Sequence, residues 1–308
     1  MKKSLLLLGV AVAAITSCTN DEVLEMNPQT TIGFDAFVNK GTRGVTETGS
    51  LDKFYVFGTC STADPSLIFN EVAVTNDGTG WKYNGGSHTE WQKGDYEFAA
   101  YATSKTSEDL DNVTFENHIL TISNYSVKDA QDLVAAFATV DNDPFKVQNE
   151  VALSFKHLLS RVKFTLTNAN TDGLQMVVSP IVLSTVNTKG TCDVKAGSIV
   201  WKNQVATNNF EFAGEANKVD MNFAYSSDEH IVIPSTVNAT ATFTVSFYNG
   251  VDATPVVTRD YSIAMPSTDL VPGYVYNFVG SVAPQKTTIE FTATVDTWKT
   301  QDPNPNIN

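Results

Sequence analysis

Apolar residues fall on every second position through long stretches of this chain, and a period of two commits those stretches to β-strands. The pattern is sharpest at two places far apart. Ile32, Phe34, Ala36 and Val38 alternate within TIGFDAFV, and Ile289, Phe291, Ala293 and Val295 repeat the same four residue types in the same order. Thr, Val, Phe, Tyr and Asn are plentiful and long Leu/Glu/Lys/Ala runs are missing, which is β-rich chemistry. The sequence therefore predicts an all-β protein.

Turn chemistry sets how the strands are parcelled. In the first half, Leu51 to Thr59, Leu67 to Thr75, Trp81 to Tyr83, Tyr96 to Tyr101 and Val113 to Ile122 read as strands, with Asn76-Asp77-Gly78-Thr79-Gly80 and Lys93-Gly94-Asp95 as turns. Lys128 to Thr139 fits a short helix on propensity or a strand with polar flanks. Val151 to Thr167 reads as strand, compact bend around His157 to Ser160, and strand. The second half predicts strands at Met176 to Val186, Ser198 to Trp201, Phe210 to Phe212, Val219 to Phe223, His230 to Ile233, Ala241 to Tyr248, Val256 to Ile263, Val275 to Val282 and Thr288 to Trp298. Short strands at this spacing indicate β-sandwiches. A length of 308 residues suggests two of them, at 44–155 and 156–300, followed by a flexible Pro- and Asn-rich tail at 301–308.

Composition narrows the function classes. A formal charge of −14 and a pI near 4.6 disfavour nucleic acid as a partner, because phosphates repel such a surface. No Gly-x-Ser-x-Gly elbow, phosphate loop, dinucleotide fingerprint or His-Glu-x-x-His occurs, so the sequence offers no enzyme chemistry and calls for no cofactor or metal. His157 is apolar-flanked and reads as a packed structural residue. Asp141-Asn142-Asp143 resembles a fragment of a calcium loop without the remaining ligands and reads as a turn. Cys60 and Cys192 read as buried free thiols rather than a pair. Trp81, Trp91, Trp201 and Trp298 suit a sandwich core, and equally a platform for sugar rings.

The N-terminus carries export chemistry. Lys2 and Lys3 precede the apolar run Leu5 to Ile15, which is too short to span a bilayer and has signal-peptide form, predicting removal of residues 1–17. Ile15-Thr16-Ser17-Cys18 resembles the lipobox of bacterial lipoproteins, in which the cysteine sulfur accepts the lipid because its thiolate is the nucleophile. Residues 18–43 then comprise a polar tether and the strand Ile32 to Val38. Lys40-Gly41-Thr42-Arg43-Gly44 closes this segment as a Gly-flanked basic loop, the kind that proteases cut.

Several stretches together resemble the fimbrillin family, the lipoprotein-derived subunits of type V pili. They are IGFDAF ending in TRG, WQKGDYEFAAY, QDLVAAF, VALSFKHLLSRVKFTL, and the closing GYVYNFVGSV…TIEFTATVDTW. The resemblance implies two tandem transthyretin-like β-sandwich domains and a chain anchored in the outer membrane through acyl chains, palmitate among them, on Cys18. It further implies cleavage after Arg43 by an arginine-directed protease, making Gly44 the new N-terminus and removing the strand of Ile32, Phe34, Ala36 and Val38. A strand from the next subunit then fills the opened groove. The implied partners are other copies or homologous fimbrial subunits, and a host or bacterial surface ligand in adhesion.

The repeated order makes Ile289, Phe291, Ala293 and Val295 the expected donor, running in the same direction as the strand it replaces. A slip of one residue would aim Glu290, Thr292 and Thr294 at the groove. The competing explanation is a generic strand pattern, or relatedness of the two domains. The alternative function is a surface-tethered glycan-binding lipoprotein.

Overall fold

A computed structural model of the chain describes residues 31–38, 51–64, 66–86, 90–103, 108–128, 131–142, 150–207, 210–215 and 217–298. These residues contain strands and no helix. In chain order the strands are β1 (Phe34–Val38), β2 (Lys53–Cys60), β3 (Leu67–Asn76), β4 (Trp81–Tyr83), β5 (Gly94–Thr103), β6 (Val113–Glu116), β7 (Ile119–Ser126) and β8 (Leu133–Asn142). There follow β9 (Val151–His157), β10 (Ser160–Asn168), β11 (Gln175–Val178), β12 (Ile181–Leu183), β13 (Val186–Lys195), β14 (Ser198–Thr207), β15 (Phe210–Phe212) and β16 (Ala224–Ser226). The last are β17 (His230–Val232), β18 (Thr236–Val237), β19 (Thr240–Tyr248), β20 (Val257–Ala264), β21 (Thr268–Asp269), β22 (Tyr274–Val282) and β23 (Thr292–Thr297). The all-β sandwich class read from the sequence is the observed one.

The first half is built on a seven-stranded sheet in the order β1-β9-β8-β5-β2-β3-β4. Its two ends approach each other: the Tyr83 hydroxyl on β4 donates to the Ile32 carbonyl at 2.6 Å, and Thr31 bridges Glu90. Curling in this way lets the inner face bury Phe54, Val56, Phe98, Ala100, Val134 and Phe155 in one core. The outer face carries Tyr55, Phe57, Ala99, Tyr101, Leu133 and Ala135 into a second core. A strand buried on both faces loses its alternation. That is why Lys128 to Thr139 fits two templates in the sequence; the structure makes its apolar part the strand β8.

The second core is closed by a four-stranded sheet, β14-β13-β7-β6, and this sheet joins the two halves. β7 from the first half pairs antiparallel with β13 from the second, with Tyr125 opposite Gly190 and Thr121 opposite Asp193. A cut at 155/156 would pass through β9 and separate β7 from β13. Cys192, Leu158, Leu159, Ile231, Ile233 and Trp298 fill this junction core.

The rest of the second half is a sandwich of two sheets, with a separate two-stranded ribbon of β18 and β21. One runs β16-β10-β22-β23, with β17 also on β10; the other runs β11-β19-β12-β15, with β20 also on β19. Phe164, Phe212, Phe243, Phe247 and Phe278 interdigitate between them. Four expected strands do not survive whole. Val113 to Ile122 breaks into β6 and β7 at Asn117-His118, both at positive φ, and Thr288 to Trp298 is a strand only over Thr292–Thr297. Met176 to Val186 divides into β11 and β12 at Ser179-Pro180, where proline supplies no N–H to the ladder. Val219 to Phe223 alternates but is not a strand: Val219 makes a single bridge to Met176, Asn222 turns the chain at φ 68°, and Phe223 is exposed.

Candidate functional site: the first strand and its groove

β1 is an edge strand with one hydrogen-bonded neighbour among the described residues, lying parallel to β9 in the register Phe34 with Val151 through Val38 with Phe155. The Val151 N–H donates to the Gly33 carbonyl at 2.8 Å, extending the attachment by one residue. The pleat aims Ile32, Phe34 and Ala36 inward, where they are 0%, 2% and 4% exposed, while Asp35 faces solvent. Val38 completes the strand backbone.

Phe34 is the centre of the site. Its ring meets Phe69, Tyr83 and Phe98 edge-on at 5.6 Å and Phe54 at 6.1 Å. Four strands contribute to this cage: Phe54 from β2, Phe69 from β3, Tyr83 from β4 and Phe98 from β5. Edge-to-face geometry sets the positive ring edge against the negative face, so the cage selects an aromatic side chain at this position. Gly58 helps to form it, since a Cβ there would lie 2.9 Å from Phe98 and 3.0 Å from Phe69. Without β1 the cage would be an apolar trough beside the unpaired edge of β9, the surface that a strand adds to. The sequence marked these aromatics as strand residues; their convergence on one inserted ring is a product of the curl and carries no sequence signal.

The C-terminal segment sits elsewhere. Ile289 and Phe291 are 5% and 6% exposed in the core of their own sandwich, with the Phe291 ring edge-on to Phe164 at 5.4 Å. Ala293 packs partly against that core, and Val295 is 51% exposed. β23 pairs antiparallel with β22 and with no second strand among the described residues. Beyond it, Trp298 is 2% exposed in the junction core, stacked on His157 at 4.4 Å with the Arg161 guanidinium 4.1 Å from its ring centre. His157 Nδ1 lies 2.5 Å from Asp132 Oδ2, so the buried histidine ties β9 to the start of β8. This bracket around Trp298 was not legible in the sequence.

Cys18, Arg43, Gly44, the signal peptide, the tether and the 301–308 tail lie outside the described residues, as does Asp143. Asp141 and Asn142 end β8. Among the described residues no three His, Cys, Asp or Glu side chains are grouped to hold a metal ion. Both described cysteines are free and buried, in separate cores, and burial pushes the Cys192 thiol up from its ordinary range. Trp81 and Trp91 pack against the first core, Trp201 and Trp298 within or against the junction core. The Trp201 indole N–H is spent on the Leu158 carbonyl at 2.8 Å.

The fold and the edge-strand site define an all-β sandwich protein whose N-terminal core is completed by an inserted strand. A family model described as fimbrillin-like matches residues 41–298, and the chain belongs to that family. Three solved structures share the fold. A candidate cell adhesion protein from Bacteroides ovatus is 16% identical with a TM-score of 0.54, covering 89% of this chain and 99% of its own. A second, from Bacteroides uniformis, is 20% identical with a TM-score of 0.52, covering 88% and 100%. A fimbrial protein from Bacteroides vulgatus is 14% identical with a TM-score of 0.52, covering 87% and 99%. No curated protein matches this chain. Family membership supports a role as a subunit of a surface pilus and a structural rather than enzymatic one.

Proposed function

We propose that this chain is a fimbrial subunit exported as a lipoprotein on Cys18 and cut after Arg43, whose N-terminal core is then refilled by a strand from another subunit. Its place is the outer surface of the cell, and its contribution there is to adhesion. One observation carries the reading: β1 fills a core from an edge, held among the described residues by a ladder to β9, and the sequence following it leads within a few residues to Lys40-Gly41-Thr42-Arg43. Removing such a strand costs the buried core atoms and leaves the remaining strands paired as before. A replacement strand that seats a large apolar side chain recovers roughly 1.5–3 kcal/mol for each one fully buried. Near-permanent linkage follows from a few such residues together with a restored backbone ladder.

The processing step gives the test. Arg43→Ala should hold the chain at its precursor size and exclude it from filaments sheared off the surface; normal incorporation of that variant would refute the reading. The glycan-binding alternative needs a platform of exposed rings. The four tryptophans are divided between two cores instead, so no observation favours it.

A further inference from the structure

Resting on that reading, we infer that residues 289–298 are a keystone of this chain's own fold and are not lent, so the strand that refills a groove is not this segment. Three side chains of the segment are committed at two separate cores. Ile289 and Phe291 occupy the C-terminal sandwich, and Trp298 occupies the junction core beside His157, the last residue of β9.

The seat is tailored to the segment. Gly280 on β22 lies tight against the segment: a Cβ there would lie 3.0 Å from Ile289 Cγ2 and 3.2 Å from Phe291 Cε1, so either side chain would have to give way. The ladder between β22 and β23 runs from Tyr274 opposite Thr297 to Val279 opposite Thr292, and the Trp298 N–H donates to the Gly273 carbonyl at 2.9 Å beyond it. The strand is thus fastened at both ends, with an exposed span between.

Lending the segment gains little burial. In another chain's groove Ile289 and Phe291 would exchange one buried site for another, and the gain would be the exposed part of Ala293 and Val295. Against that stand Trp298, a larger apolar surface than Val295, and the newly opened edge of β22. Residues 299–308, KTQDPNPNIN, contain Ile307 as their one large apolar side chain, with Pro303 and Pro305 lacking the N–H a ladder needs. The occupant that fits is an extended segment of a homologous subunit presenting a branched aliphatic, an aromatic and a small residue at alternate positions, the chemistry of Ile32, Phe34 and Ala36.

Val295 separates the two accounts, because the shared order would set it at the place of Val38, in register with Phe155 of β9, yet it is half-exposed here. The full-length gene carrying Val295→Asp is expressed in the native host, and the chain is quantified in heat-resistant ladders of surface-sheared material. The keystone account expects incorporation within about twofold of wild type and an unchanged melting temperature, as for an exposed substitution. Incorporation lowered by about tenfold or more, with a normally folded chain, would overturn it, since an unpaired buried carboxylate would then be blocking the exchange. Phe291→Asp should yield no folded chain; a folded monomer that merely fails to enter ladders would also overturn the inference. A wild-type chain absent from the ladders overturns the function reading and this inference together, whereas loss confined to Val295→Asp overturns this inference alone.

Discussion

Phe34→Ala tests whether β1 completes the first core or merely covers it. The side chain is 2% exposed and meets four rings from four different strands, so truncation leaves a cavity that no single neighbour can close. Phe→Ala changes at such positions cost about 3–5 kcal/mol, and the rigid edge-on packing of Phe69, Tyr83 and Phe98 puts this one in the upper part of that range. Asp35→Ala is the control, on the same strand with its side chain in solvent, and should stay within about 0.5 kcal/mol. Both precursor variants are unfolded in urea beside the wild type, following tyrosine and tryptophan fluorescence, since Tyr83, Trp81 and Trp91 lie in or against this core. A midpoint for Phe34→Ala equal to that of Asp35→Ala would refute the reasoning, because a ring with no energetic weight cannot define a groove.

Trp298→Ala should cost about 3–5 kcal/mol by vacating the junction core, read as a lower urea midpoint; an unaltered midpoint would remove Trp298 as a fastening point. Glu71 accepts a 2.6 Å hydrogen bond from the Tyr101 hydroxyl, while burial and then the nearby Asp109 charge raise its carboxyl above the ordinary value of 4.5. The folded state therefore binds the proton more tightly, and stability falls as pH rises through the folded value. Glu71→Gln keeps an acceptor for Tyr101 and removes the charge, so it should melt higher than wild type at neutral pH and match it below about pH 4.5. A wild-type advantage at neutral pH would contradict this.

Local pattern exposed most of the strands. Val162, Phe164 and Leu166 alternate with Lys163 and Thr165, and β10 buries the first set and leaves the second at its margins, because its sheet has one face on the core. VALSFKHLLSRVKFTLT resolved into β9, the link Leu158-Leu159, and β10, since a period of two breaks where Leu158 and Leu159 both turn into the junction core. The long-range arrangement was hidden. Nothing in Val186 to Thr207 says that it pairs with β7 rather than with its own half, because edge-to-edge pairing uses backbone groups common to every strand. The repeated Ile-x-Phe-x-Ala-x-Val order had the same limitation. One copy runs as an edge strand parallel to β9. The other begins as irregular chain at Ile289 and becomes a strand only from Thr292, so identical knobs occupy different structural roles. Trp298 looked like a candidate ring for sugar; its partner His157 lies too far away in sequence for the stack to be read there.

The account stands or falls on whether the assembled subunit has parted with its first strand. Filaments sheared from cells producing the chain can be dissociated and the N-terminal residue of this subunit identified directly. Gly44 is the predicted result. Subunits within the filaments that still carry Ile32 through Val38 would contradict it.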